Sequence, residues 1–315
     1  MKKTTWISEK ELNKIDWIIA CNAACDKWMY KSMDEISLFY SYFSIYEHRL
    51  FVKEVTDKIG LDLNGIGMEI GSGPGILSNS LIKIYKGIKK IYLLDKAPNT
   101  YNLMKKVADE NNTLNKLECI IGSFNDLKLA DESLDFVLDF DSIHHSENFD
   151  LTFREIARVL KPGGVLVCFD RAQPNYTSKK QIDAILDAEY SDEYKLENNL
   201  NLDEKITRRM QGETEPLLKQ WVNTSKKYNL ISKTYIFHKK SFKDFIRAIY
   251  GLLVPYYIKA IIKKGVNITT HYQIIFSFFG INNFFIQGIK VLNLNYNPKS
   301  KRSPRGKMIF YFKKI

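Results

Sequence analysis

A short apolar run, Gly67-Met-Glu-Ile70, enters the turn Gly71-Ser-Gly73-Pro-Gly75 and leaves as a helical stretch from Ile76 through Leu77 to Ile84. Glycines in such a turn permit positive φ and let the backbone approach a ligand closely. The helix after it presents its first, unpaired N–H groups to a carboxylate or another polar group. The pattern from Glu69 is E-x-G-x-G-x-G, which differs in spacing from the G-x-G-x-x-G dinucleotide fingerprint. A second strand, Ile91-Tyr-Leu-Leu, ends on Asp95, 26 residues after Glu69. A carboxylate at that place can accept hydrogen bonds from both hydroxyls of a ribose.

The same rhythm continues. Leu117–Ile121, Asp135–Phe140 and Val165–Asp170 read as strands, with a helix over Leu151–Leu160 between the last two. Strands that alternate with helices imply a parallel sheet covered on both faces. Glu213 to Tyr228 reads as a helix carrying Trp221, Leu230–Phe237 as a sixth strand, and Lys307–Lys313 as the last. The fold class is therefore α/β, with seven strands in a mostly parallel sheet. Before it, residues 1–60 read as a helical cap, with capping boxes at Ser8/Glu11 and Ser32/Glu35. Ile36, Phe39, Tyr40, Phe43, Tyr46 and Leu50 recur at helical spacing after the second box. A core over 61–240, completed by a strand within 304–315, encloses a basic, aromatic insertion at 241–303. The polar stretch 173–211 carries no motif and reads either as a lid or as a surface excursion.

Charge is distributed unevenly. The chain of 315 residues carries a net +11, yet residues 241–315 hold 13 Lys and Arg against the single acid Asp244. The first 240 residues are nearly neutral. Basic residues interleaved with aromatics suit a small subdomain with an aromatic core and a solvated basic face, an anionic membrane surface, an anionic ligand or single-stranded nucleic acid. Residues 265–289 lack Asp, Glu, Lys and Arg, but Asn267, Thr269, Thr270, His271, Gln273, Asn282, Asn283 and Gln287 interrupt them, which argues against a spanning helix. Lys2 and Lys3 lead into Trp6-Ile-Ser-Glu-Lys10, which is no apolar core for export. The four cysteines have no partners at zinc-ligand spacing, so buried thiols in a reducing cytoplasm are expected.

From Gly67 to Asp170 the sequence closely resembles the class I S-adenosylmethionine (SAM)-dependent methyltransferases, in particular the group that includes the ubiquinone and menaquinone biosynthesis enzymes. Glu69–Gly75 matches their first motif and Asp95 their ribose-binding acid. Gly122-Ser-Phe-Asn-Asp-Leu127 with Asp131-Glu-Ser-Leu-Asp135-Phe-Val137, Ser142-Ile-His144-His145, and Arg158-Val-Leu-Lys-Pro162-Gly163-Gly164 come in the family's order. The resemblance implies a Rossmann-like sheet and SAM as cofactor. Glu69, Gly71, Ser72, Gly73 and Gly75 would cradle its methionine end, Asp95 and Lys96 would hold the ribose, and Ser123 and Phe124 would flank the adenine, with Asp139 contributing. Many relatives have an acid where this chain has Ser123, and serine is the weaker acceptor. Asn125 or Asp126 could supplement it.

Methyl transfer from a sulfonium needs alignment and, for a hydroxyl or carbon acid, removal of a proton. His145, and after it His144, are the candidate proton acceptors at the carboxyl edge. Tyr40, Asp141, Asp170 and Arg171 are candidates for the acceptor pocket, with Tyr42 and Tyr46 beside Tyr40. No metal is expected, because one short loop rarely supplies a coordination sphere. Asp139-Phe-Asp-Ser-Ile-His-His lacks the Pro-Pro-aromatic motif of base-modifying amino-methyltransferases, and the chain has no Pro-Cys or Thr-Cys dipeptide. A small-molecule, glycan or lipid-linked acceptor is thus expected, with peripheral membrane contact through 241–303 at the inner face and nucleic acid disfavoured. An RNA- or ribosome-associated methyltransferase and a non-catalytic SAM-binding regulator are the alternatives.

Overall fold

A computed structural model describes residues 1–12, 14–41, 45–197, 200–240, 288–293 and 306–315. The described strands are β1 (Lys2–Thr5), β2 (Gly65–Ile70), β3 (Ile88–Asp95), β4 (Leu117–Ile121), β5 (Leu134–Phe140), β6 (Leu160–Ala172), β7 (Leu230–Lys240), β8 (Gly288–Asn293) and β9 (Gly306–Lys314). They form one sheet in the order β1-β4-β3-β2-β5-β6-β9-β7-β8. From β1 to β6 neighbouring strands are parallel, while β9 pairs antiparallel with both β6 and β7. The seven strands expected from sequence are all present. Two edge strands extend them: β1 lies parallel to β4, and β8 lies antiparallel to β7. Neither carries a local signal strong enough to stand alone, because Lys2–Thr5 is short and polar and acquires its strand geometry from the edge it joins.

Strand alternation sends side chains to two separate apolar layers. Phe136, Leu138, Val167 and Phe169 face the layer built with α2 (Asp16–Trp28), α4 (Ile45–Ile59), α5 (Ile76–Ile84) and α6 (Thr100–Glu110). Val137, Leu166 and Cys168 face the other, built with α7 (Phe149–Val159) and α10 (Leu218–Lys227). The N-terminal helical cap adds the short α1 (Glu9–Leu12) and α3 (Met33–Ser41). The capping box at Ser32 forms: its N–H donates to Glu35 Oε2 at 2.9 Å, and Glu35 N donates to Ser32 Oγ at 3.3 Å. At Ser8 it is the carbonyl that opens α1, accepting from Glu11 N and Leu12 N. The side chains of Tyr40 and Tyr46, and the whole of Tyr42, lie outside the described residues.

The helix expected over Glu213–Tyr228 begins only at Leu218. Pro216 disfavours a helical Glu215 before it, and Leu217 pairs with Gln173 at the end of β6 instead. Gln173 N donates to Pro216 O, Leu218 N donates to Gln173 O, and the Gln220 side chain caps Leu217 N. Two small helices, α8 (Lys179–Leu186) and α9 (Asp192–Glu197), lie within the polar stretch before it. Ser178 and Gln181 form a reciprocal capping box at α8. Most of the expected insertion at 241–303 lies outside the described residues; only β8 falls inside them.

Trp221 is the centre of the aromatic layer behind the sheet. It is fully buried, stacks on Phe310 with ring centroids 4.5 Å apart, and meets Phe149 and Phe153 edge-on at 5.0 and 5.9 Å. Its Nε1 is buried without a hydrogen-bond partner, so the site values the ring's area rather than its N–H. Trp221→Ala is expected to cost about 3–5 kcal/mol of unfolding free energy, and Trp221→Phe under about 1.5 kcal/mol, measured by urea denaturation at fixed pH.

Candidate active site

A cavity of about 730 Å³ opens at the carboxyl edge of the sheet, where the order reverses between β3, β2 and β5. Open α/β sheets bind ligands at such a switch point. Among the residues named from sequence, Glu69, Gly71, Ser72, Gly73, Asp95, Lys96, Ser123, Phe124, Asn125, Asp141, His144, His145 and Arg171 line it. Gly75, Asp139 and Asp170 do not line it, and Asp126 points into solvent.

The glycine turn takes its shape from left-handed backbone. Gly71 has φ 57°, and a Cβ there would stand 2.4 Å from the Ser142 side chain. Gly75 has φ 75° and precedes α5; a Cβ on it would press on Leu93 at 2.9 Å. Gly75 therefore shapes the turn from behind instead of touching the cavity. Glu69 also holds the turn: its carboxylate accepts from Ser78 N at 3.0 Å and from the Ser78 hydroxyl. Burial pushes the Glu69 carboxyl up to about 7, against the pull of the Ser78 hydrogen bonds.

Asp95 closes β3 against this turn. Its Oδ2 accepts from Gly73 N at 2.9 Å and its Oδ1 from Ala97 N at 3.0 Å. Burial raises its pKa, partly offset by those backbone donors. The next residue, Lys96, reaches across the mouth to an ion pair with Glu147, and Trp17 lies 5.6 Å beneath its ammonium. Ser123 Oγ accepts from Asn125 N at 3.2 Å. The Asn125 amide donates to Thr152 Oγ1 at 2.6 Å and to Asn148 O at 3.0 Å, which commits that nitrogen to the α7 entrance.

The loop after β5 is tightly specified. Asp141 has φ 62°, rare for a residue with a Cβ, and is held there by its N–H donating to Phe169 O at 2.7 Å. Asp139, expected to contribute to the cofactor site, sits beneath the loop instead. It is fully buried, and its Oδ1 accepts from Ser142 N and Ile143 N at 3.0 and 2.9 Å. Burial, and then the neighbouring Asp170, hold its carboxyl well above the usual range. Asp170, expected in the acceptor pocket, is likewise fully buried; Oδ2 accepts from His144 N at 3.0 Å and Oδ1 lies 2.7 Å from His144 Nδ1. A carboxylate with no exposed atom cannot touch an acceptor directly, so its role passes through His144.

The polar stretch 173–211 folds back over the site. Tyr190, Tyr194, Leu200, Arg208, Gln211 and Glu213 also line the cavity. Tyr190 and Tyr194 stack with centroids 4.1 Å apart. Arg171 Nη1 pairs with Glu213 at 2.8 Å, and Arg208 Nη1 lies 3.3 Å from Glu215. Thr214 N donates to His144 O at 2.8 Å, and the Thr214 hydroxyl donates to the same oxygen. None of these wall residues was singled out from sequence. Two tyrosines four apart in a charged segment were the one available signal.

Among the described residues, Asp141, His144 and Asp170 bring metal-ligand atoms within 4.8 Å of one another. Those atoms are already engaged: His144 Nδ1 faces Asp170, and Arg171 Nε stands 3.9 Å from Asp141 Oδ1. The guanidinium supplies the positive charge that a cation would otherwise bring.

The buried Glu69 carboxyl sets a pH dependence. Its folded pKa is raised from 4.5 to about 7, so its contribution is fully present below pH 4.5 and is lost as pH rises through 7. Over that window wild-type protein should lose about 3 kcal/mol relative to Glu69→Gln, measured by urea denaturation of both at pH 4.5 and pH 8.

A methyltransferase-domain family model matches residues 68–168. The demethylmenaquinone methyltransferase of Oceanobacillus iheyensis is 25% identical over 152 residues, covering 48% of this chain and 61% of that protein. The demethylmenaquinone methyltransferase of Listeria monocytogenes is 38% identical over 82 residues, covering 25% of this chain and 35% of that protein. The chain thus spans about three fifths or less of the length of these relatives. Among solved structures, the YcgJ protein of Bacillus subtilis is similar over 85% of this chain and 98% of its own, with a TM-score of 0.48 and 16% identity. With the motifs in order at the carboxyl edge of the expected sheet, residues 68–168 match a methyltransferase domain.

Proposed function

We propose that the chain transfers the methyl group of SAM to a small-molecule or lipid-linked acceptor bound at the carboxyl edge of the sheet. The observation that carries this reading is the meeting of the glycine turn with Asp95, 2.9 Å from Gly73 N to Oδ2, at the floor of the cavity. The residues fit the cofactor. Backbone N–H groups of the turn suit a carboxylate, Glu69 an ammonium, and Asp95 a pair of ribose hydroxyls. The cofactor supplies an activated methyl on a sulfonium. The protein's residues orient it, exclude water and hold the acceptor in line. Trp17, Phe140, Tyr190 and Tyr194 give the cavity aromatic walls, which suit a flat acceptor; the demethylmenaquinone of the relatives' names is consistent with this.

Peripheral membrane contact through 241–303 belongs to the same proposal. Its support is the +12 net charge of residues 241–315 with aromatics interleaved. Among the described residues no helix is long and apolar enough to cross a membrane.

Calorimetry with S-adenosylhomocysteine should give saturable binding, weakened about 10- to 100-fold in Asp95→Ala, since a charged acceptor shared by two hydroxyls is lost. No heat from wild-type protein would sink the reading. The full chain should co-sediment with vesicles containing anionic lipid and be released by about 0.5 M salt, while neutral vesicles leave it in solution.

A further inference from the structure

Arg171 stands where the end of β6 meets the covering segment, and it lines the cavity. Its two carboxylate partners are more buried than the guanidinium itself: the side chains of Glu213 and Glu215 are 8% and 2% exposed, against 20% for Arg171. Both meet its Nη1, at 2.8 and 3.5 Å. Arg208 shares the same pair, with Nη1 3.6 Å from Glu213 and 3.3 Å from Glu215. Two cations therefore balance two anions, and Gln173 Nε2 donates to the second oxygen of Glu215 at 2.6 Å.

Among the described residues Nη1 carries every hydrogen bond of the Arg171 guanidinium. Nε is 3.9 Å from Asp141 Oδ1, beyond hydrogen-bond reach. Neither Nε nor Nη2 is a buried atom without a partner, so both stay accessible. A guanidinium that served only as a structural bridge would use its donors within the network that holds it. This one keeps its side-on edge, Nε–H with Nη2–H, open in a residue that lines the cavity.

Glu213 ties that edge to an aromatic surface. Its Oε2 accepts from Arg171, and its Oε1 accepts from the Tyr190 hydroxyl. Burial opposes charge on Glu213, yet Arg171, Tyr190 and Arg208 hold its carboxyl below the usual range, so it is an anion at neutral pH. Tyr190 also lines the cavity, and Tyr194 stacks on one of its faces with centroids 4.1 Å apart. One carboxylate thus fixes both a donor edge and a flat ring.

We infer that Arg171 and Tyr190 position the methyl acceptor: its ring lies on Tyr190, and a hydroxyl or carbonyl oxygen of that ring accepts from the Nε–H and Nη2–H edge of Arg171. The inference rests on the proposed methyl transfer from SAM and narrows its acceptor to a flat molecule with an oxygen at its rim. A guanidinium has donors only, so it selects a group with a lone pair to give. An aromatic amine, whose lone pair is drawn into its ring, is a poor partner. A carboxylate is a poor one too, because Asp141 already adds a third anion beside the two balanced pairs. Glu213 is a positioning residue, since it acts through Arg171 and Tyr190.

The full chain saturated with S-adenosylhomocysteine is titrated at neutral pH with 1-naphthol, 1-naphthylamine and 1-naphthoate, which present the same ring. Wild-type protein should bind the naphthol about 10- to 100-fold more tightly than the amine, the ratio that a hydrogen bond to a charged donor supports. Arg171→Lys keeps the charge and loses the planar edge. It should bring that ratio to within about threefold, with S-adenosylhomocysteine affinity as the check on folding. Tyr190→Ala should weaken naphthol and amine by a similar factor, about 3- to 10-fold, and preserve the ratio. If Arg171→Lys does not fold, Glu213→Gln serves: it removes the charge that aims Arg171, and the ratio should fall by at least about threefold. A merely structural role would leave the ratio where it was. Equal binding of naphthol and amine by wild-type protein, tighter binding of the amine or the naphthoate, or a ratio unmoved in the folded variant overturns the inference. So does an S-adenosylhomocysteine complex that binds none of the three probes. Absence of S-adenosylhomocysteine binding is a separate failure, of the methyltransferase reading itself.

Discussion

The carboxyl edge exists because β2 pairs in parallel with β3 on one side and β5 on the other. Ile70 stands opposite Leu94 in one register and opposite Asp139 in the other. The three strands therefore end almost level, and their three outgoing loops enter one space. The glycine turn leaves β2, Asp95 closes β3, and the Asp141–His145 loop leaves β5. A shift of one residue in either pairing would turn every side chain to the opposite face and separate these groups. The apolar alternation of Phe136, Val137 and Leu138 between two buried layers makes such a slip costly.

Burial at this edge is used selectively. Glu69, Asp139 and Asp170 are carboxyls with almost no exposed surface, and each accepts from backbone N–H groups of a helix start or loop. A buried carboxyl without donors would be expensive, so these residues specify loop geometry wherever they are placed. Asp139 sets the turn at Ser142 and Ile143. Glu69 sets the start of α5. Asp170 holds the His144 backbone and ring in place. Arg171 faces Asp141, Glu213 and Glu215, so one guanidinium joins the sheet edge to the segment that covers it. Lys195 anchors that segment internally, its ammonium held by Glu189 at 2.7 Å and by Glu204 O at 2.8 Å.

Much of this was legible locally. Strand, glycine turn and helix repeat with clear apolar periods, and β2, β3, β4, β5, α5 and α7 lie within a few residues of their expected places; α5 matches its expected span. The Glu69–Gly75 turn and Asp95 could be named because their residue types are dictated by backbone and ligand chemistry at one place in the chain. His144 and His145 could be named, with His145 placed first, but what sets their surroundings apart could not be read. Adjacent in sequence, they differ in burial and in what lies behind each ring, and Asp170 is 26 residues away from His144. The helix start at Leu218 in place of Glu213 turned on Pro216, whose effect on the preceding residue is local and could have been weighed.

The sequence by itself determined the α/β class, the order of the strands along the chain, the glycine turn and the acid that faces it, because periodicity and backbone sterics act over a few residues. Tertiary structure alone decided which polar residues line the cavity and which lie beneath it. It moved Asp139 and Asp170 below the surface, and it brought Tyr190, Arg208 and Glu213 across the sheet to face His145 and Arg171. The physical reason is range. Propensity and turn chemistry are local, whereas desolvation and ion pairing depend on partners that only the folded chain brings together.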